Sequence, residues 1–346
     1  MNLEKPTCDD SLMRQLGYSV YQLPIISVAD ELGVFSLLEQ EPAGIAEVAG
    51  KLHLSLRATE ALLASLAGMG LLVRSHGKFH LTETSRNFLI PTKPFYWGYF
   101  VRLICQVPIT HGALLETLRR DGAVAWGDGQ GKVISDEWAA ANLSDERAFV
   151  FTQAMHSHSF ATAVGLAQRA ELSGVGRLLD VAGGSGCFSI ALAQQNPGVR
   201  FTVAELPPVC KTTRRYVAEH GLEDRIDVLE LDMFRDAWPP GHDAIFFANI
   251  LHDWDSARQR RLVQRSFEAL PPGGRVLIYE LLLSDGQDGP LTAALFSMNM
   301  VYMTPGKQFT AGELDELVRG CGFTDVSVIP VYAGYSLISA RKPLAR

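Results

Sequence analysis

Ile25, Ile26, Val28, Ala29, Leu32, Val34, Phe35 and Leu38 recur at a spacing that predicts a mostly buried helix over residues 18–38, interrupted at Gly33. Ile45, Val48, Ala49 and Leu52 follow at three- and four-residue steps, the mark of a further helix. Ser55 stands as an N-cap candidate ahead of Leu62, Leu63, Leu66 and Met69, and Gly70 as the matching C-cap. LLVRSHGKFHL then predicts two short strands turning at His76 and Gly77. Helix, turn, helix and wing make a winged-helix pattern. Residues 101–172 read as helical and rich in His and aromatic residues, with a polar loop at 121–131. Beyond residue 173 the rhythm changes. RLLDVAG, RFTVAE, RIDVLEL, DAIFFAN and RVLIYELLL are short apolar runs separated by four helix-length segments, as in parallel strands buried on both faces. VSVIPV and YSLISARK lie too close together for a crossover and predict an antiparallel hairpin. The expected fold is α/β: a doubly wound, mostly parallel seven-stranded sheet preceded by a helical, winged-helix-like domain. The expected boundaries are 1–100, 101–172 and 173–346.

Composition narrows the function. The 346 residues are 47% hydrophobic and 20% charged, enough for a sizeable core and a two-domain chain. A net charge of −7 argues against nucleic acid as the main partner. Residues 1–100 hold 8 Lys and Arg against 10 Asp and Glu, and residues 55–68, the would-be recognition helix, carry only Arg57 and Glu60. Tracking phosphates needs several cations. The winged-helix domain is therefore expected to pack against a second subunit, with a ligand-sensing regulator as the alternative from another class. No apolar run reaches the ~18 residues of a membrane span. MNLEKPTCDD is acidic and lacks the apolar stretch of a secretory signal. Cys8, Cys105, Cys187, Cys210 and Cys321 are widely spread, which reads as reduced thiols. The expected location is cytoplasmic, with no membrane partner.

The candidate chemistry lies at strand ends. LDVAGGSG (179–186) closes the first run, and a helix over 188–195 follows. Glycines at such a turn (Gly183, Gly184, Gly186) let a ligand approach the backbone, on the sheet edge where open α/β folds bind ligands. Glu205 ends the second run, 19 residues beyond Gly186, where an acid can accept both hydroxyls of a ribose. Either a nicotinamide dinucleotide or S-adenosylmethionine fits so far. The dinucleotide pattern requires a third glycine, and Ser189 stands there. Asp232, with Met233 and Phe234, follows the third run, suited to an adenine amino group and ring; a helix N-cap is the plainer alternative for Asp232. Together these favour S-adenosylmethionine. His252 follows the fourth run on the same edge. A phenol ionises near pH ~10, so an imidazole of pKa ~6.5 is a suitable base, although a lone His also serves as a structural hydrogen-bonder. Glu280, near the end of the fifth run, is the natural carboxylate to hold that ring. His156 and His158, or His252 with Asp253 and Asp255, match no established ligand spacing, so no metal is expected.

These residues resemble the class I methyltransferases that act on small aromatic hydroxyls, such as plant caffeate and hydroxyindole O-methyltransferases and bacterial antibiotic-tailoring enzymes. The resemblance rests on DVAGGSG (180–186), ELP (205–207), DMF (232–234), LHDW (251–254), FEALPPGG (267–274) and the lid-like FTQAMHSHS (151–159). It implies a homodimer formed through the N-terminal domain, S-adenosyl-L-methionine as cofactor, His252 as general base and Glu280 as its orienter. It also implies cofactor contacts from Asp180, Gly183, Gly184, Gly186, Glu205, Leu206, Asp232, Met233, Phe234 and Ser159. The acceptor would meet Met155, His156, Phe296, Met298, Asn299, Met300 and Met303. Three departures stand out. Ala182 replaces a glycine, Glu205 replaces the more usual Asp, and Ala248 replaces a Lys or Arg, leaving Asn249 as the polar cofactor candidate. Gln308, in GKQFT (306–310), stands where the family often has a second acid. The implied reaction is methyl transfer to the hydroxyl of a small aromatic acceptor, of the kind used in tailoring natural products. A C-methyltransferase acting on an activated carbon of an aromatic or keto-acid substrate is the alternative.

Overall fold

The computed structural model describes residues 6–106, 109–121 and 144–344; most of the expected loop at 121–131 lies outside them. The chain divides into two compact units, residues 1–106 and 107–346. Helix α7 (Gly98–Cys105) therefore goes with the first unit, and residues 107–172 with the second.

In the first unit, residues 18–38 form not one buried helix but a 3-10 turn, Ser19–Tyr21, and the helices α2 (Gln22–Glu31) and α3 (Val34–Gln40), preceded by α1 (Ser11–Tyr18). Ala29, Val34, Phe35 and Leu38 are buried, whereas Tyr18, Val20, Tyr21 and Val28 are exposed. The stretch carries more apolar residues than one small core covers. Helices α4 (Ile45–Leu52) and α5 (Leu56–Gly68) follow as expected. The Ser55 hydroxyl accepts from the Ala58 N–H at 3.2 Å, and Leu71 N–H closes onto Leu66 O past Gly70. Strands β1 (Leu72–Ser75) and β2 (Lys78–Leu81) pair antiparallel with Ser75 opposite Lys78, so the turn is His76-Gly77. After α6 (Glu83–Phe88), α7 packs on α2. There the buried Asp30 carboxylate accepts from the Tyr96 hydroxyl at 2.6 Å and lies 3.6 Å from Arg102.

The second unit opens with α8 (His111–Arg120) and the long α9 (Asp145–Ala167). Its strands are β3 (Arg177–Val181), β4 (Arg200–Glu205), β5 (Ile226–Glu230), β6 (Ala244–Ala248), β7 (Arg275–Leu281), β8 (Thr324–Tyr332) and β9 (Tyr335–Arg341). They form one sheet in the order β5-β4-β3-β6-β7-β9-β8, parallel except for β9, which runs antiparallel to both β7 and β8. The order reverses between β3 and β6, so the tips of β3, β4, β6 and β7 frame one crevice. Apolar residues alternate between two covered faces. Ile245, Phe247 and Ile278 pack toward α12 (Ser256–Ala269) and α14 (Ala311–Gly320), while Phe246 and Tyr279 meet Phe188 of α10 (Cys187–Gln195). This is why the strands read as continuous apolar runs. Helix α11 (Pro207–Glu219) follows β4, and α13 (Leu291–Met303) follows β7.

Only three of the four expected connecting helices form. Between β5 and β6, residues 231–243 are turns. The Asp232 carboxylate accepts from the N–H groups of Phe234 and Arg235, and Pro239 and Pro240 remove two helical donors. At the far edge, β8 pairs with β9 through two register shifts, the second beside Pro330. No single helix among the described residues is long and apolar enough to cross a membrane.

Replacing Tyr96 by Phe leaves the buried Asp30 carboxylate with one hydrogen bond fewer. Urea unfolding is expected to show a loss of about 1–3 kcal/mol.

Candidate active site

The β3–α10 turn is held from several sides. Ala182, Gly184 and Gly186 have positive φ, and a Cβ on Gly183 would stand 2.7 Å from the Asp180 carboxyl, so position 183 leaves no room for a side chain unless Asp180 shifts. Glu205, buried at the tip of β4, accepts the Gly184 N–H through Oε1 (3.1 Å) and the Leu206 N–H through Oε2 (2.7 Å). The Thr213 hydroxyl of α11 donates to Gly184 O at 2.6 Å. Ser189 donates to Asp180 Oδ2 at 2.7 Å, while Asp180 Oδ1 is buried with no partner among the described residues. Burial raises both carboxyls to about 7, against the Ser189 hydroxyl at Asp180 and the two backbone N–H groups at Glu205. A glycine cradle with an unanswered buried carboxylate oxygen suits a ligand bearing a cationic group and hydroxyls. At the β5 tip, Asp232 Oδ1 caps its own turn and Oδ2 lies 3.5 Å from Arg235. The plainer role expected for Asp232 is therefore present in part, as a turn cap without a helix. Phe234 packs edge-on against Trp254 at 4.8 Å, and Met233 is half-buried beside it. Asn249, just past β6, is in the left-handed region, with Oδ1 lacking a partner among the described residues.

Next to this turn lies a second group. The 3-10 turn Leu251–Asp253 sets His252 beyond β6, and β7 brings up Glu280, fully buried. His252 Nδ1 stands 2.7 Å from Glu280 Oε2, so its N–H donates to the carboxylate and Nε2 is left for a second partner. Gln308 abuts the same Nδ1, with its amide nitrogen at 3.1 Å. A ring N–H that donates to a carboxylate takes a further neighbour only as an acceptor, so the amide turned to present Oε1 shares that proton. Asp253 Oδ1 lies 3.6 Å from Nε2. Burial alone would push the imidazole down; the Glu280 and Asp253 carboxylates outweigh it and raise the ring to about 9. Gly306 presses its backbone onto the His252 carbonyl, where any Cβ would collide.

Other expected residues divide between the two groups. Phe296 meets His252 edge-on at 5.2 Å. Met155 and Asn299 are half-buried on their helices. Met298 points outward, 39% exposed, and Met303 packs with Tyr302 against Ala113 and Leu114 of α8. The α13 methionines thus do not all share one lining face. His156, expected at the acceptor, instead meets Ser185 of the glycine turn (Nδ1 to Oγ, 2.9 Å). Its neighbour His158 lies on the Phe296 side, 6.1 Å from that ring, with Nδ1 3.3 Å from the Ser159 hydroxyl. Residues two apart on a helix face nearly opposite ways; that phase was readable in the sequence, as was the glycine at 306. Nothing in the sequence pointed to Thr213.

The raised pKa carries a stability consequence. His252 titrates at about 9 when folded and ~6.5 when unfolded, so its contribution is complete below pH 6.5 and is lost as pH rises through 9. Urea midpoints are expected to fall over that window, and the fall should flatten in Glu280→Gln.

Residues 19–91 match the O-methyltransferase dimerisation domain and residues 113–324 the O-methyltransferase domain. The chain is 34% identical over 319 residues to 3-hydroxy-5-methyl-1-naphthoate 3-O-methyltransferase of Streptomyces sahachiroi, covering 92% of this chain and 91% of that protein. It is 32% identical over 320 residues to the L-tyrosine C(3)-methyltransferase of Streptomyces lavendulae, covering 89% and 84%. Among solved structures, human N-acetylserotonin methyltransferase in complex with SAM superposes with a TM-score of 0.83 at 26% identity, covering 98% of this chain and all of that one. With the domain match spanning more than half its length, the chain belongs to the S-adenosylmethionine-dependent O-methyltransferase family.

Proposed function

We propose that this enzyme, a homodimer formed through its first unit, methylates the hydroxyl of a small aromatic acceptor, with His252 as general base and Glu280 holding it. The observation that carries this reading is the buried 2.7 Å bond between His252 Nδ1 and Glu280 Oε2, at the strand tips beside the glycine turn. Bound S-adenosylmethionine supplies an electrophilic methyl on a sulfonium, ready for in-line displacement. Asp180, the glycines of the turn, Glu205, Leu206, Met233 and Phe234 are the residues suited to hold it, with Asp232, Asn249 and Ser159 as further polar contacts. The buried, unpartnered Asp180 Oδ1 supports that fit.

His252 Nε2 then takes the acceptor proton. A phenol at ~10 gives its proton to free imidazole (~6.5) only uphill; to a ring raised toward the phenol's own range that cost becomes much smaller. Glu280 supplies most of that gain by stabilising the imidazolium. Gly306 and Gln308 keep the ring in place, and Phe296 beside it suits a flat aromatic guest.

Carbon methylation is the second reading, favoured by Gln308 standing in place of a second acid and by the likeness to a tyrosine C-methyltransferase. The two share their first step. A phenolate carries charge on its ortho carbon as well as its oxygen, so one base serves both, and the atom facing the methyl decides the product.

Assays with labelled S-adenosylmethionine over a panel of phenols and keto acids, with product positions mapped by NMR, test the choice. A methyl ether is expected, with His252→Ala slower by about 10²–10⁴-fold; full activity in that variant would exclude the imidazole base. In the wild type, kcat/KM should climb with pH through about 9. Glu280→Gln should lower the rate and shift that limb to lower pH, because the charge that raises the ring is gone.

A further inference from the structure

One polar contact of α9 remains outside this mechanism: the imidazole of His156 against the hydroxyl of Ser185, in the middle of the glycine turn. We propose that His156 is a positioning residue for the cofactor, tying α9 to the turn and so setting how tightly the turn grips its ligand. The ring is held by its neighbours. It stacks on Tyr216 of α11 at 4.0 Å with the planes 8° apart, and on Phe160, one helical turn away, at 4.9 Å. Burial, with the nearby His220 adding to it, pushes its pKa down to about 3, so the ring stays neutral and adds no positive charge beside a turn that receives a cationic sulfonium. The sheet and α11 brace Gly184 through Glu205 and Thr213; Ser185, the next residue, is braced by His156 of α9.

The arrangement also links two sites. His156 faces the turn, while His158, about 200° around the same helix, faces Phe296 on the His252 side. An α9 anchored at Ser185 is thereby anchored for the acceptor as well.

The inference rests on the cofactor reading above, and one set of titrations separates the two. Calorimetry with S-adenosylhomocysteine, the demethylated product, is run on wild type, His156→Phe, His156→Asn, Ser185→Ala and the Phe/Ala double variant, with thermal midpoints recorded without ligand. Phe keeps the stacking but not the hydrogen bond, whereas the Asn amide reaches about as far as Nδ1. The expected dissociation constants rise about five- to tenfold in His156→Phe and in Ser185→Ala, no further in the double variant, and recover in part in His156→Asn. Ser185→Ala removes one oxygen and carries the test if a His156 variant is unfolded. Wild-type affinity in both single variants, or a double variant equal to the product of the singles, overturns the proposal. No heat from the wild type overturns the cofactor reading itself, and this inference with it.

Discussion

A buried carboxylate and an imidazole, in contact and shielded from water, form the constraint around which the second unit is arranged. Taking either charge out of water costs several kcal/mol, recovered only when the partner is held in good geometry. Much of the surrounding structure supplies that geometry. Strand β7 delivers Glu280 at full burial, the Leu251–Asp253 turn delivers the ring, and the Gly306 backbone closes over it. Gln308 adds contact at Nδ1 without charge, so Glu280 is the carboxylate paired with that nitrogen.

The sheet makes this possible by bringing distant parts of the chain to one edge. Asp180, Glu205, His252 and Glu280 span a hundred residues, yet each follows or ends a parallel strand of the same layer. The two halves of the site differ in character. On the glycine-turn side, burial favours neutral or weakly charged acids, against the backbone N–H groups and the hydroxyl that the carboxylates accept. On the acceptor side, two carboxylates face one imidazole and favour its cation. Helix α9 borders both.

Much of this was legible in the amino-acid order, and the lapses have physical causes. Parallel strands covered on both faces must be apolar throughout, so the five runs stood out; the spacing of the last two left room only for a hairpin. His252 and Glu280 were legible because few bland roles suit such groups at strand ends. The helix expected between β5 and β6 is absent because Asp232 satisfies two N–H groups locally and two prolines follow, a competition that apolar spacing does not register. Residues 18–38 suggested burial because periodicity reports an apolar face without saying what covers it. His156 lies at Ser185 and His158 near Phe296 because a helix turns successive residues apart, which reading the motif as one cluster does not register. Met298 and Met303 show the same point on α13.

The hairpin that ends the sheet has a further effect. Inserting β9 between β7 and β8 leaves β8 as the rim, and this rim is irregular: it slips register twice and carries Pro330, which offers no N–H. A straight rim would invite a strand from a neighbouring molecule to continue the ladder. This one discourages such stacking, so the β8 edge of the sheet is a poor template for a strand from another copy.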